Sequence, residues 1–160
     1  MLPDRSIVTW GDPAYGGNSS NIQHQLKHVR HLEASERAFA AILPDGSVVT
    51  WGDPKFGGDS LAVQHQLKNV KHIAAAGTAF AATLADGSVV TWGHEAAADC
   101  TAVQDQLQNV QDIHGTERAF AAILEDRSVV TWGDPFNGGD SSEVQHQLRA
   151  VQCIHASHSS

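Results

Sequence analysis

Imidazoles, carboxylates and thiols are the groups in this 160-residue sequence that could do chemistry, and their spacing decides what chemistry that would be. His24, His28 and His31 stand at i, i+4 and i+7. On a helix they would share one face, and three imidazoles could hold zinc. The same frame recurs further along the chain, and there the set falls apart. His24 and His31 are matched by His65 and His72, His28 is matched by Asn69, and Asp105 and Asp112 replace both imidazoles in the next copy. Polar positions that drift in this way are solvated rather than ligating, so no metal is expected. Asp12, Asp53 and Asp134, with their neighbouring glycines, match neither the EF-hand nor the β-helix calcium spacing. Cys100 and Cys153 sit at different places in their copies, which argues for free thiols rather than a repeated ligand set or a disulfide framework. The sequence has no G-x-S-x-G elbow, no phosphate loop and no cysteine with a recurring histidine partner. One copy departs from the others, at His94, Glu95, Asp99 and Cys100, and it has lost two glycines and a proline. That pattern is drift rather than an active site. The chain therefore reads as a non-enzyme without a cofactor.

The frame that carries these residues is a repeat. Trp10, Trp51, Trp92 and Trp132 are spaced by 41, 41 and 40 residues, and fixed spacing of this size marks a repeat architecture. "AFAAILPDGSVVTWG" begins at Ala38, "AFAATLADGSVVTWG" at Ala79 and "AFAAILEDRSVVTWG" at Ala119. Asp-Gly between two β-prone runs predicts a hairpin, because Gly accepts positive φ without a steric penalty. Arg127 and Arg5 replace that glycine in two copies, where the turn is expected to be strained or of another type. "AFAAIL" is apolar without alternation and suits a strand covered on both faces. The third segment has two readings. Val63, Leu67, Val70 and Ile73 fall on a helical stripe, which Asp59 or Ser60 could cap. The same residues also fit a turn around "VQHQL" followed by a strand "VKHIAA". The paired glutamines, such as Gln23 with Gln25 and Gln64 with Gln66, are expected to tie loops to neighbouring blades.

The recurring line "VxxIxA…AFAAILxDGSVVTWGxxxxxG" resembles the repeat of the regulator of chromosome condensation family and of the related propeller-type β-lactamase inhibitor proteins. The match covers Val70, Ile73, the strand from Ala79, Asp86-Gly87 and Trp92-Gly93, with Gly16, Gly57 and Gly138 six residues after their tryptophans. It departs from the family in lacking "GQLG" after Trp-Gly, in its shorter unit and in the third copy's lost glycine pair. The resemblance implies an all-β fold: tandem units of about 41 residues forming three-stranded blades of a β-propeller or an open arc of one. A strand-strand-helix array is the alternative. Residues 1–160 read as one repeat domain with units at 1–28 (partial), 29–69, 70–109, 110–150 and 151–160 (partial). This count gives four strands of the first type, three of the second and four of the third.

Composition limits the partners. A formal charge of −8 without a Lys/Arg cluster argues against nucleic acid. No run approaches a membrane span, and "MLPDRSIVTW" has no leader pattern, so the cytosol or nucleus is the expected location. The "GDPxxGGDS" loops fall on one rim and offer a candidate protein-binding surface of Asp12, Tyr15, Asp53, Phe56, His94, Glu95, Asp134 and Phe136, since aromatic residues dominate binding hot spots. Trp10, Trp51, Trp92 and Trp132 are expected to be the structural core of the repeat. The function expected is a non-enzymatic scaffold that binds a protein partner. Self-association is a further possibility, because open blade ends leave apolar faces unpaired. What the resemblance implies as the alternative is the recognition part of a small-GTPase nucleotide-exchange factor or of a HECT-type ubiquitin ligase.

Overall fold

The structure is a computed structural model that describes residues 1–157. Three antiparallel sheets follow one another along the chain, each of three strands in sequence order. The first holds β1 (His31–Ala34), β2 (Ala38–Ile42) and β3 (Val48–Gly52). The second holds β4 (Val70–Ala75), β5 (Ala79–Leu84) and β6 (Val89–Gly93). The third holds β7 (Val110–Gly115), β8 (Ala119–Leu124) and β9 (Val129–Gly133). The chain is thus all-β, built of stacked three-stranded blades.

The hairpins form where Asp-Gly is written. In the first blade the Gly46 N–H donates to the Leu43 carbonyl and the Leu43 N–H to the Ser47 carbonyl, a three-residue loop closed by a left-handed residue. The Asp45 carboxylate accepts from both the Ser47 hydroxyl and its amide, which holds its pKa below the usual carboxylate range. Arg5 and Arg127 adopt the same left-handed backbone as the glycines they replace, at φ 60° and 67°. The turn type is therefore kept and the arginines carry the strain.

The third segment is a turn and a strand. Residues around Ser60–Gln66 make successive turns, and the chain then enters β4 through Asn69 at φ 53°. A register shift between Val70 and His72 leaves Lys71 unpaired against β5, so Val70 and Ile73, three residues apart, both face inward. The helical stripe is the product of a buried turn residue, Leu67, followed by a bulged strand. The strand-strand-helix alternative does not hold. The single α-helix among the described residues, α1 (Glu95–Ala98), spans four residues and fills the third copy's shortened loop.

Blades meet through unlike faces. Ala38, Ala40, Ile42 and Val48 of the first blade pack against Leu67, Val70, Ile73, Phe80 and Trp92 of the second. The second offers Ala74, Ala79, Ala81 and Val89 to Leu107, Ile113, Phe120 and Trp132 of the third. Alanines predominate on one side and let the larger side chains of the other approach closely. The first strands β1, β4 and β7 lie against one another, on the inner side of the array.

Two expectations need correction. The strand-type segments at 6–11 and 151–156 form no strand, because neither has a partner strand beside it: three strands of each type are paired, not four of the outer types. Trp10 for the same reason is not core. It is 85% exposed, whereas Trp51, Trp92 and Trp132 are buried. Replacing Arg127 with Gly removes a left-handed non-glycine residue, and the gain outweighs the extra freedom of the unfolded chain. Arg127→Gly should raise stability by about 0.5–1 kcal/mol, read as a higher urea midpoint with an unchanged slope.

Candidate protein-binding rim

The loops after Gly11, β3 and β9 are each built by an aspartate. Asp12, Asp53 and Asp134 each accept at Oδ1 the amide two residues on, at 2.9 Å, and cap a short 3-10 turn opened by proline. Their carboxylates are thereby spent largely on the loop itself. Gly16, Gly57 and Gly138 close the turns in the left-handed conformation. In the third copy His94 replaces the aspartate and accepts the Ala96 amide at Nδ1, 3.3 Å away.

These loops are also the joints between blades. Gly57 lies flat on the next blade, where a Cβ would fall 2.5 Å from the Phe80 ring. Trp92 stacks on Phe80 with centroids 5.3 Å apart and donates its indole N–H to the Gly57 carbonyl at 3.1 Å. Trp51 does the same with Phe39 and Gly16. The joint between the second and third blades differs. Ala97, fully buried in the cluster with Phe120 and Trp132, stands where the glycine would be, the Ala98 carbonyl accepts from the Thr91 hydroxyl, and the Trp132 indole N–H is buried without an acceptor.

Each loop is then fastened to the strand it has just left. Ser60 donates to Gln64, Gln64 donates from Nε2 to the Val48 carbonyl, and Thr50 meets Ser60 at 3.0 Å. The same relay recurs at Thr9–Ser19–Gln23 and Thr131–Ser141–Gln145. The glutamines therefore anchor loops within a unit, not to neighbouring blades as expected, and only the first of each pair does so. Cys100 occupies the serine position of the third relay and donates to Gln104, which accounts for that thiol without chemistry. Cys100 is buried, Cys153 is exposed, and both are free.

The turns between first and second strands share this rim, since Ser35 donates to the Phe56 carbonyl and Thr116 to the Asn137 carbonyl. Arg37 rises from such a turn between two loops, its guanidinium 5.0 Å from the Tyr15 ring and 4.7 Å from the Phe56 ring. The structure thus brings together Tyr15 and Phe56 around an arginine that the motif analysis passed over. Its signal was the "ER" repeated at Glu36-Arg37 and Glu117-Arg118. Arg118 has no such bracket and lies 3.7 Å from Glu117. Phe136 is 95% exposed, and His94 and Glu95 are exposed in the third loop. His24 and His28 are exposed on turns while His31 lies on β1, so the three imidazoles do not form a helical face. Among the described residues no group of His, Cys, Asp or Glu is placed to hold a metal ion.

Stacked three-stranded blades with interlocking loops define a β-propeller-type repeat array. More particularly, the fold is that of the RCC1-like repeats. Yeast RCC1 (Prp20), in its complex with Kap60, matches with a TM-score of 0.57 at 18% identity over 81% of this chain and 38% of that one. Prp20p from Saccharomyces cerevisiae matches with a TM-score of 0.56 at 14% identity, over 81% and 41%. The CRINKLY WD40 ectodomain of the Arabidopsis thaliana receptor kinase ACR4 matches with a TM-score of 0.54 at 23% identity, over 72% and 40%. The chain spans about two fifths of the length of these structures. No family model matches the sequence, and no curated protein does.

The joints differ in one hydrogen bond, which sets a comparison. Trp92→Phe removes a made bond and Trp132→Phe removes an orphaned donor at matched change in volume. The first should cost about 1 kcal/mol more than the second, measured by urea unfolding of the two variants side by side.

Proposed function

We propose that this chain is a non-enzymatic recognition module that binds a protein partner through its loop rim. The observation that supports this reading most directly is the rim's aromatic surface. Phe136 stands 95% exposed at one loop tip, and Tyr15 is 46% exposed where it meets Arg37. Aromatic and arginine side chains supply most of the energy in protein interfaces, because they bury large area with few rotatable bonds. These side chains are also free for such work, since the aspartates, glycines and glutamines already hold the loops in place. The acidic balance of the chain, −8, favours a basic partner by steering its approach rather than by fixing its identity. The cytosol or nucleus remains the compartment proposed.

A narrower reading makes the partner a small GTPase or places the chain in the recognition part of a larger assembly such as a HECT-type ligase. In its favour stands the likeness to Prp20p, whose binding to Gsp1p and histones is named with its structure. That likeness concerns fold, and no loop here matches an exchange loop residue by residue.

The test is capture with the immobilised 160-residue chain, followed by comparison with a Tyr15→Ala, Phe136→Ala variant. The double variant should keep the wild-type unfolding midpoint and lose at least about tenfold in affinity for the captured protein, as expected for hot-spot truncation. Undiminished binding would move the interface off this rim. If the captured protein is a GTPase, faster nucleotide release in the presence of the chain would establish the narrower reading, and an unchanged rate would leave recognition alone.

A further inference from the structure

The inner strands carry a row of titratable side chains that the rim does not use. His31, His72 and Asp112 occupy one repeat position on β1, β4 and β7, and Glu33, Ala74 and His114 occupy the position two residues on. The strands lie side by side, so the row crosses both blade joints. His31 and His72 face each other across the first joint with ring centroids 5.1 Å apart. His31 Nε2 is 2.8 Å from the Glu33 carboxylate, and His114 Nε2 is 3.0 Å from the Asp112 carboxylate. His72 has alanine where its neighbours have a partner, and it depends on what adjacent blades present.

We propose that this imidazole–carboxylate row is a pH-responsive joint, which holds the first and second blades together at neutral pH and loosens them in mild acid. With neutral rings, His31 and His72 pack as two aromatic surfaces. Once both are protonated, two cations stand at that separation in a half-buried seam, where repulsion is less screened than in water. Glu33 relieves His31 directly. The titratable groups acting on His72 are His31 and Glu33 from the first blade and Asp112 and His114 from the third. Its burial and then the His31 charge oppose protonation, and Asp112 and Glu33 offset them only in part, so its affinity for a proton falls below that of an ordinary histidine. The sign follows. Between the ordinary histidine value of about 6.5 and the lowered one, the unfolded chain binds more protons than the folded chain. Stability is therefore present above that window and is lost as pH falls through it.

The seam also has a local reporter. The Glu36 amide donates to the Gly77 carbonyl across the first joint at 2.9 Å, and the Gly77 amide donates to the Thr116 carbonyl across the second at 3.1 Å. Hydrogen exchange of the full chain, corrected for intrinsic rates, should show the Glu36 amide losing protection by at least fivefold more than the Ala81 and Ala121 amides between pH 7.5 and 5.0. His72→Gln, which keeps polarity and bulk but cannot titrate, should abolish that excess loss. Should His72→Gln prove poorly folded, His31→Gln removes the same repulsion from the other side and should have the same effect. An NMR titration of the His72 ring adds a readout that a merely structural role would not move. Its midpoint should lie below 6.5 and rise in His31→Gln. Equal protection of the Glu36, Ala81 and Ala121 amides at both pH values, or a His72 midpoint unmoved by His31→Gln, would overturn the proposal.

Discussion

An indole stacked flat on its own hairpin's phenylalanine, against the loop of the preceding unit, is the contact from which the rest of this architecture follows, and at Trp51 and Trp92 its N–H is given to the carbonyl of a left-handed glycine in that loop. The glycine must be left-handed to end its turn, and it must lack a side chain to lie on the next blade's phenylalanine. The indole must lie flat on that same ring for its N–H to reach the carbonyl. Between the second and third blades, where alanine takes the glycine's place and the indole N–H has no acceptor, the stacked phenylalanine and tryptophan alone keep the joint closed. Because a three-stranded sheet of this length cannot bury both faces alone, the joint is what turns three marginal sheets into one body.

The joint also determines what is left for recognition. Aspartate oxygens go to capping, serine and glutamine to the relay beneath the loop, and glycine to the joint. What remains pointing outward on the loops are side chains that differ from copy to copy, among them Tyr15, Lys55 and Phe136. A framework built by its polar residues thus presents its aromatic ones. Arg37 extends this surface inward because it stands between two loops, which no single repeat could arrange.

The hairpins and strands were legible because their signals are local. Asp45-Gly46 and Asp86-Gly87 need nothing beyond their own backbone to turn, and the two covered faces of "AFAAIL" are visible in its lack of alternation. The segment from Val63 to Ile73 was not legible from periodicity, since a turn residue followed by a bulged strand reproduces the spacing of a helix. The decisive clue lay in Asn69 and Asn109, residues that tolerate the left-handed backbone which ends the turn, and the family resemblance supplied what the pattern could not. Trp10 illustrates the limit from the other side. Its sequence context matches that of Trp92, yet burial is conferred by the strand and loop beside it, and those contacts are not encoded in its own motif. The pairing of Tyr15 and Phe56 around Arg37 was hidden for the same reason, as it joins residues from two loops and a turn.

The joints repeat one another in chemistry, except that the one between the second and third blades has alanine for glycine and lacks the indole hydrogen bond. A gene encoding such a chain can recombine between units without penalty: an in-frame copy of residues 29–69 would meet, at either junction, the same glycine, the same phenylalanine and the same tryptophan that it left. Length is then a quantity that inheritance can adjust in whole steps, and the span of the rim with it.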